Sequence, residues 1–178
     1  MTTYAEISAL AGSHAERFFA HKETCERVAS KLSAEFQRYL EAPSDALKFV
    51  ELDEDLVAKR EEMNFPKMRR GRDGYWYFAL RVHFKSSSSP GYSYSYLKFG
   101  LHVSGSACSV RLDGLFTIDL NDTSTFDPLF ADIVRGYREY YSTQPSSPVR
   151  AAGFIQGPAE EWGTGAKAPV SRAADASD

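Results

Sequence analysis

The chain has 178 residues, 43% of them apolar and 25% charged, with a formal net charge of −3. That size and balance fit one ordinary globular domain and exclude a wholly disordered chain or a second enzyme-sized unit. Two cysteines, Cys25 and Cys108, exclude a disulfide-built scaffold and a four-cysteine zinc site. No apolar run approaches the ~20 residues of a membrane helix, and the first residues lack the basic-then-apolar pattern of a secretory signal. The expectation is a cytoplasmic protein that makes no membrane contact and needs no cofactor.

Thr3 followed by Glu6 fits a capping box, Gly12 reads as a helix stop, and Ser13 with Glu16 opens a second box. From there Phe18, Cys25, Val28, Ala29, Leu32, Phe36, Tyr39 and Leu40 recur at helical spacing until Pro43. The spacing predicts a helix over 14–41, about 42 Å long. LKFVEL at 47–52 predicts a short strand. DEDLVAKREEM after it reads as a helical turn or loop, and PKMRRGRDG as a turn on its Asp73-Gly74 pair.

The period then changes to two. In 75–85, Trp76, Phe78, Leu80, Val82 and Phe84 share one face, opposed by Tyr75, Tyr77, Arg81, His83 and Lys85. SSSSPG reads as a hairpin loop. In 92–103, Leu97, Phe99, Leu101 and Val103 oppose Tyr94, Tyr96, Lys98 and His102. The run 109–120 reads as one further strand, with Val110, Leu112, Phe116 and Ile118 inward and Arg111, Asp113, Thr117 and Asp119 outward. Pairing the first two runs so that residue numbers sum to 177 sets Trp76 opposite Leu101 and puts every apolar residue on one side. A final helix begins at Asp127 as N-cap with Pro128 in its first turn. It buries Leu129, Phe130, Ile133, Val134, Tyr137 and Tyr141, with Gly136 hinting at a close backbone approach.

Three alternating runs and one short strand have one face to cover, and two helices carry the stripes to cover it. The expected fold is α+β, a two-layer sandwich in which an antiparallel meander of about four strands lies under a long N-terminal helix and a C-terminal helix. The domain spans 1–142, and the Pro-, Ala-, Ser- and Gly-rich 143–178 reads as a mostly disordered tail in which Phe154, Ile155 and Trp162 are isolated apolar anchors. A helix longer than the sheet is wide leaves apolar surface at one end unless it runs nearly parallel to the strands, which raises a homodimer through that helix; the alternative is a helix that bends or stops near Ala29.

Between residues 75 and 104 stand Arg81, Lys85 and Lys98 and no Asp or Glu, a basic island in an acidic protein. The outward face of the meander therefore offers ring planes and cations: Tyr75, Tyr77, Arg81, His83, Tyr94, Tyr96, Lys98, His102 and Arg111. The plainer account is that tyrosine and cation–aromatic pairs support any solvated sheet. Arg69 and Arg70, with Lys67 and Arg72, form a second basic cluster that extends this face or is neutralised by neighbouring acids. The negative total charge favours a protein partner over nucleic acid.

His21 and Cys25 are spaced i, i+4, but two ligands make no metal site and Cys25 lies on the apolar stripe. His83 and His102 fall too far apart along the sheet to share a metal. DLNDTSTFD lacks the glycine and glutamate of a calcium loop and reads as a capped strand-to-helix turn. No nucleophile elbow, phosphate loop or dinucleotide fingerprint is present. The resulting expectation is a non-catalytic binding or accessory protein that engages an anionic partner, most simply a protein, through the tyrosine-rich face. The alternatives are a small enzyme using Arg81, His83 or His102 in a helix–sheet pocket, and a structural homodimer.

Overall fold

The computed structural model describes residues 3–85 and 92–142, together with the backbone of a two-residue strand at 154–155. Helix α1 (Tyr4–Tyr39) is followed by strands β1 (Leu47–Leu52), β2 (Ala58–Met63), β3 (Arg69–Arg70), β4 (Trp76–Lys85), β5 (Tyr92–Ser104), β6 (Ala107–Arg111) and β7 (Leu115–Asp119). A 3-10 turn (Thr123–Phe126), helix α2 (Asp127–Ser142) and strand β8 (Phe154–Ile155) complete the order. The strands form one eight-stranded sheet, ordered β2-β1-β4-β5-β6-β7, with β3 beside β4 and β8 beside β5. All pairs are antiparallel. The α+β two-layer architecture is as expected, with twice the strands.

The central register is the expected one: Trp76 pairs with Leu101, Leu80 with Leu97, Arg81 with Tyr96 and His83 with Tyr94. A slip by one residue would set Phe78 and Leu80 on the opposite face from Leu97 and Phe99. These residues are buried with Phe49, Val110 and Ile118 against Leu32 and Phe36 of α1 and Phe130 and Ile133 of α2. Phe36 meets Phe130 at 5.1 Å between ring centroids, and Tyr137 meets Phe84 at 4.9 Å. Both helices therefore lie on the same face of the sheet.

Five local expectations change, one of them Tyr141, which is half exposed instead of buried on α2. Gly12 does not stop the first helix, which runs about 54 Å at 1.5 Å per residue, starting from the Thr3–Glu6 capping box. A glycine in a helix costs about 1 kcal/mol but does not forbid the helix. Residues 58–63 form an edge strand rather than a turn. AKREEM hides its period because both its faces are largely solvated, and its charges deter edge-to-edge pairing. The run 109–120 is two strands, folded back at Asp113-Gly114 so that Arg111 pairs with Leu115 and Cys108 with Ile118. Asp127 is the first residue of α2, and the capping side chain is Asp122, whose carboxylate accepts the Ser124 amide at 3.0 Å before the 3-10 turn. The loop at 86–91 and most of the 143–178 tail lie outside the described residues.

Helix α1 ends in a Schellman turn: the Glu41 amide donates to Arg38 O at 3.0 Å and the Ala42 amide to Gln37 O at 3.1 Å. Glu41 thereby takes φ 51°, the left-handed conformation usually given to glycine. Glu41 is exposed, so Glu41→Gly is expected to stabilise the fold by about 0.5–1 kcal/mol. A urea titration that shows no gain would mean that the Glu41 side chain contributes a contact of equal size.

Among the described residues no helix is long and apolar enough to cross a membrane.

Candidate functional site

With both helices on one side, the opposite face of the sheet carries the alternate residues of β4, β5 and β6. Two carboxylates brought in from other elements organise it. Glu62, on edge strand β2, accepts from Arg81 Nη1 at 3.1 Å and lies 2.9 Å from His83 Nε2. The Arg81 guanidinium lies 3.9 Å from the centroid of the Tyr94 ring and 5.9 Å from that of Tyr96. The His83 ring stands edge-on to Tyr94 at 4.8 Å.

The second organiser is Asp73, in the turn before β4. Its Oδ2 accepts from the Tyr77 hydroxyl at 2.5 Å and from Arg111 Nη1 at 2.6 Å, and its Oδ1 from the Tyr75 amide at 3.2 Å. Arg111 also covers the Tyr75 ring at 4.4 Å. Partial burial pushes the Asp73 carboxyl up, but the Tyr77 and Tyr75 donors and the Arg111 charge outweigh it and hold the carboxyl below its ordinary value. A depressed carboxyl contributes stability above its unfolded value and loses that contribution as pH falls through the folded one. Asp73→Asn is therefore expected to melt below wild type at neutral pH, with the gap closing as pH drops below about 4. A gap that persists unchanged into acid would dissociate the carboxylate charge from the stability of this corner.

The expected face is thus only partly open. Tyr77, Arg81 and Tyr96 are buried. Val50, Leu52 and Ala58, delivered by β1 and β2, join Tyr77, Ala79 and Tyr96 in a second, smaller apolar cluster on this side. The Tyr77 ring is further held between Gly71 and Gly100, where an added Cβ would come within 2.6 Å and 2.7 Å of its ring carbons. The residues with accessible side chains are Tyr75, His83, Tyr94, Lys98, His102 and Arg111. Arg69 and Arg70 separate, as neighbours in a strand must. Arg69 lies 4.0 Å from Glu51, which also holds Lys67 at 2.6 Å. Arg70 turns to the helix side and stacks 5.0 Å from the Phe18 ring and 5.9 Å from that of Trp76.

His21 has a fixed role. The Trp76 indole N–H donates to its Nδ1 at 3.1 Å, so Nε2 carries the proton and donates to Val103 O at 3.1 Å. Both ring nitrogens are spent on protein partners. Cys25 and Cys108 are fully buried, and burial pushes their thiols up to about 11 and about 12, which removes them as nucleophiles at neutral pH. His83 and His102 lie at opposite ends of the β4–β5 pair. Among the described residues no group of three or more His, Cys, Asp or Glu is placed to hold a metal ion.

A cavity of about 340 Å³ lies where α1 turns into β1, lined by Leu40, Glu41, Leu47, Val82, His83 and Phe84 among others. Of the acids expected to neutralise the Lys67–Arg72 cluster, Glu62 instead holds Arg81 and His83 and Asp73 holds Arg111; the acid that holds Lys67 and Arg69 is Glu51, which sequence reasoning missed. Comparison of the chain with protein-family models, with curated proteins and with solved structures finds no match.

Proposed function

We propose that the protein is a non-catalytic binding protein whose open sheet face engages an acidic surface of a partner protein. The observation that carries this reading is the asymmetry of the sandwich. Both helices cover one face, and the other presents Tyr75, Tyr94, Lys98, His102 and Arg111. Tyr75 is capped by Arg111, and the Asp73 carboxylate holds that cation over the ring. Pre-stacked rings and cations lose little side-chain freedom on binding, which favours a protein surface of carboxylates and apolar groups. The intervening Glu62 and Asp73 weaken the case for a phosphate backbone, which rewards uninterrupted positive charge.

The test is retention on immobilised poly-glutamate and on a single-stranded oligonucleotide of equal charge. Retention on poly-glutamate that falls with salt and is lost in the Lys98→Glu/Arg111→Glu variant supports the proposal. Preferential retention on the oligonucleotide would move the reading to nucleic acid, and no retention on either would overturn it.

A catalytic reading draws on one observation, that His83, held by Glu62 at 2.9 Å, contributes to the lining of the 340 Å³ cavity. A carboxylate-oriented histidine at a cavity is the arrangement a general base requires. Among the motifs and clusters described above, none supplies a nucleophile beside it.

A further inference from the structure

The apolar stripe that seats α1 on the sheet does not end where the sheet ends. It recurs in steps of seven through Tyr4, Ala11, Phe18, Cys25 and Leu32, and through Ile7 and Val28 with histidines, His14 and His21, at the two positions between them. From Cys25 onward this stripe enters the core. Every residue from Thr3 to Arg17 is exposed, and on the stripe and its border Tyr4 is 87% accessible, Ile7 56% and Leu10 64%. The first four turns of the helix therefore project from the body as an arm about 21 Å long.

We propose that this arm pairs with the arm of a second copy of the chain, antiparallel, as a short two-helix coil. The same seven-residue spacing that packs on the sheet from Cys25 onward also suits a helix pair where no sheet lies beneath it. Set antiparallel about a two-fold axis near Ala9, the repeat matches itself. Tyr4 of each arm meets His14 of the other, Ile7 meets Ala11, and the two Leu10 side chains lie beside each other at the border. Ser8 and Ala15, on the opposite border, are small enough to let the helices approach. The arm carries only Glu6, Glu16 and Arg17 as full charges, so it offers no strong field to a charged partner and does not repel its own copy. An isolated helix of this length is marginal in water, the more so with Gly12 inside it, and a partner stripe offsets that cost.

Two such arms bury about 800–1,000 Å² in total, at the low edge of specific interfaces. The dimer is accordingly weak and reversible, with half-association at micromolar to high-micromolar concentration. It does not depend on the binding role of the sheet face, from which the arm is separate.

Sedimentation equilibrium of the full chain from about 1 µM to about 500 µM reads the association directly. A rise from monomer to dimer in wild type, abolished in Ile7→Glu/Leu10→Glu, supports the proposal. That variant alters only exposed arm positions, so its thermal midpoint for the body is expected to match wild type. A monomer at every concentration overturns the proposal, as does a dimer that persists in the variant. Mixing Tyr4→Cys and His14→Cys chains under mild oxidation tests the orientation. A mixed 4–14 disulfide supports antiparallel pairing, whereas disulfides formed only between identical chains overturn it.

Discussion

Phe78→Ala is expected to destabilise the protein by about 3–5 kcal/mol, the cost of removing a fully buried aromatic ring from a core that can close only partly over the void. Phe78 is 0% exposed at the middle of the central strand. Its ring stacks on that of its cross-strand partner Phe99 at 5.1 Å and 15° and lies 6.0 Å from Phe49. The lost area and the lost ring contacts act in the same direction. Because β4 is hydrogen-bonded on both sides, the backbone there has little freedom to collapse inward. In urea the midpoint should fall with the slope unchanged, and the melting temperature should fall by roughly 10 °C. A loss below about 1 kcal/mol would mean that the ring is not the centre of the core.

Gly100→Ala is expected to cost about 1–3 kcal/mol, the range for forcing extra volume into a packed site. Here the reason is steric rather than conformational. Gly100 pairs directly with Tyr77 across the β4–β5 ladder, and the new methyl would lie 2.7 Å from Tyr77 Cε1. The ring cannot move away, because Gly71 presses its other edge and Asp73 holds its hydroxyl at 2.5 Å. The same substitution in a Tyr77→Ala background should cost much less, since the atoms it meets are gone. A double-mutant cycle reads this coupling as the difference between the two costs. Additive costs would show that the methyl collides with something other than Tyr77.

This pair of residues also marks the boundary of sequence reasoning. Alternation alone places Tyr77 and Gly100 on the face away from the helices, and that placement is correct. It does not reveal that one edge of the ring abuts a glycine on the neighbouring strand, because the deficit of side chain at Gly100 acquires meaning only once the register is known. The same holds for Arg81. Its run contains no acid, so the strand reads as basic. The neutralising Glu62 comes from an edge strand whose own pattern, AKREEM, has no apolar periodicity to announce it. The splitting of 109–120 at Asp113-Gly114 is different in kind. The Asp-Gly signal is present in the chain, but the unbroken alternation on either side of it masks the turn.

What the linear order of residues determined was whatever follows from local repetition. The 3.6 spacing of Cys25, Val28, Leu32 and Phe36, and the twofold alternation of Trp76 to Phe84 and Leu97 to Val103, commit those segments to a helix and to strands with a defined inner face, because burial rewards each residue of the pattern separately. The faces of the meander followed as well, but not its register, since a shift by two residues leaves every apolar residue on its side and the pairing of Trp76 with Leu101 is only one of that set. Only the tertiary structure decided which parts of the outer face are open. The neutralisation of Arg81 by Glu62 and of Arg111 by Asp73, and the burial of Tyr77 and Tyr96 under aliphatics from β1 and β2, depend on side chains meeting from segments far apart in the chain. Such meetings depend on the positions of whole elements relative to one another, to which no local period gives access.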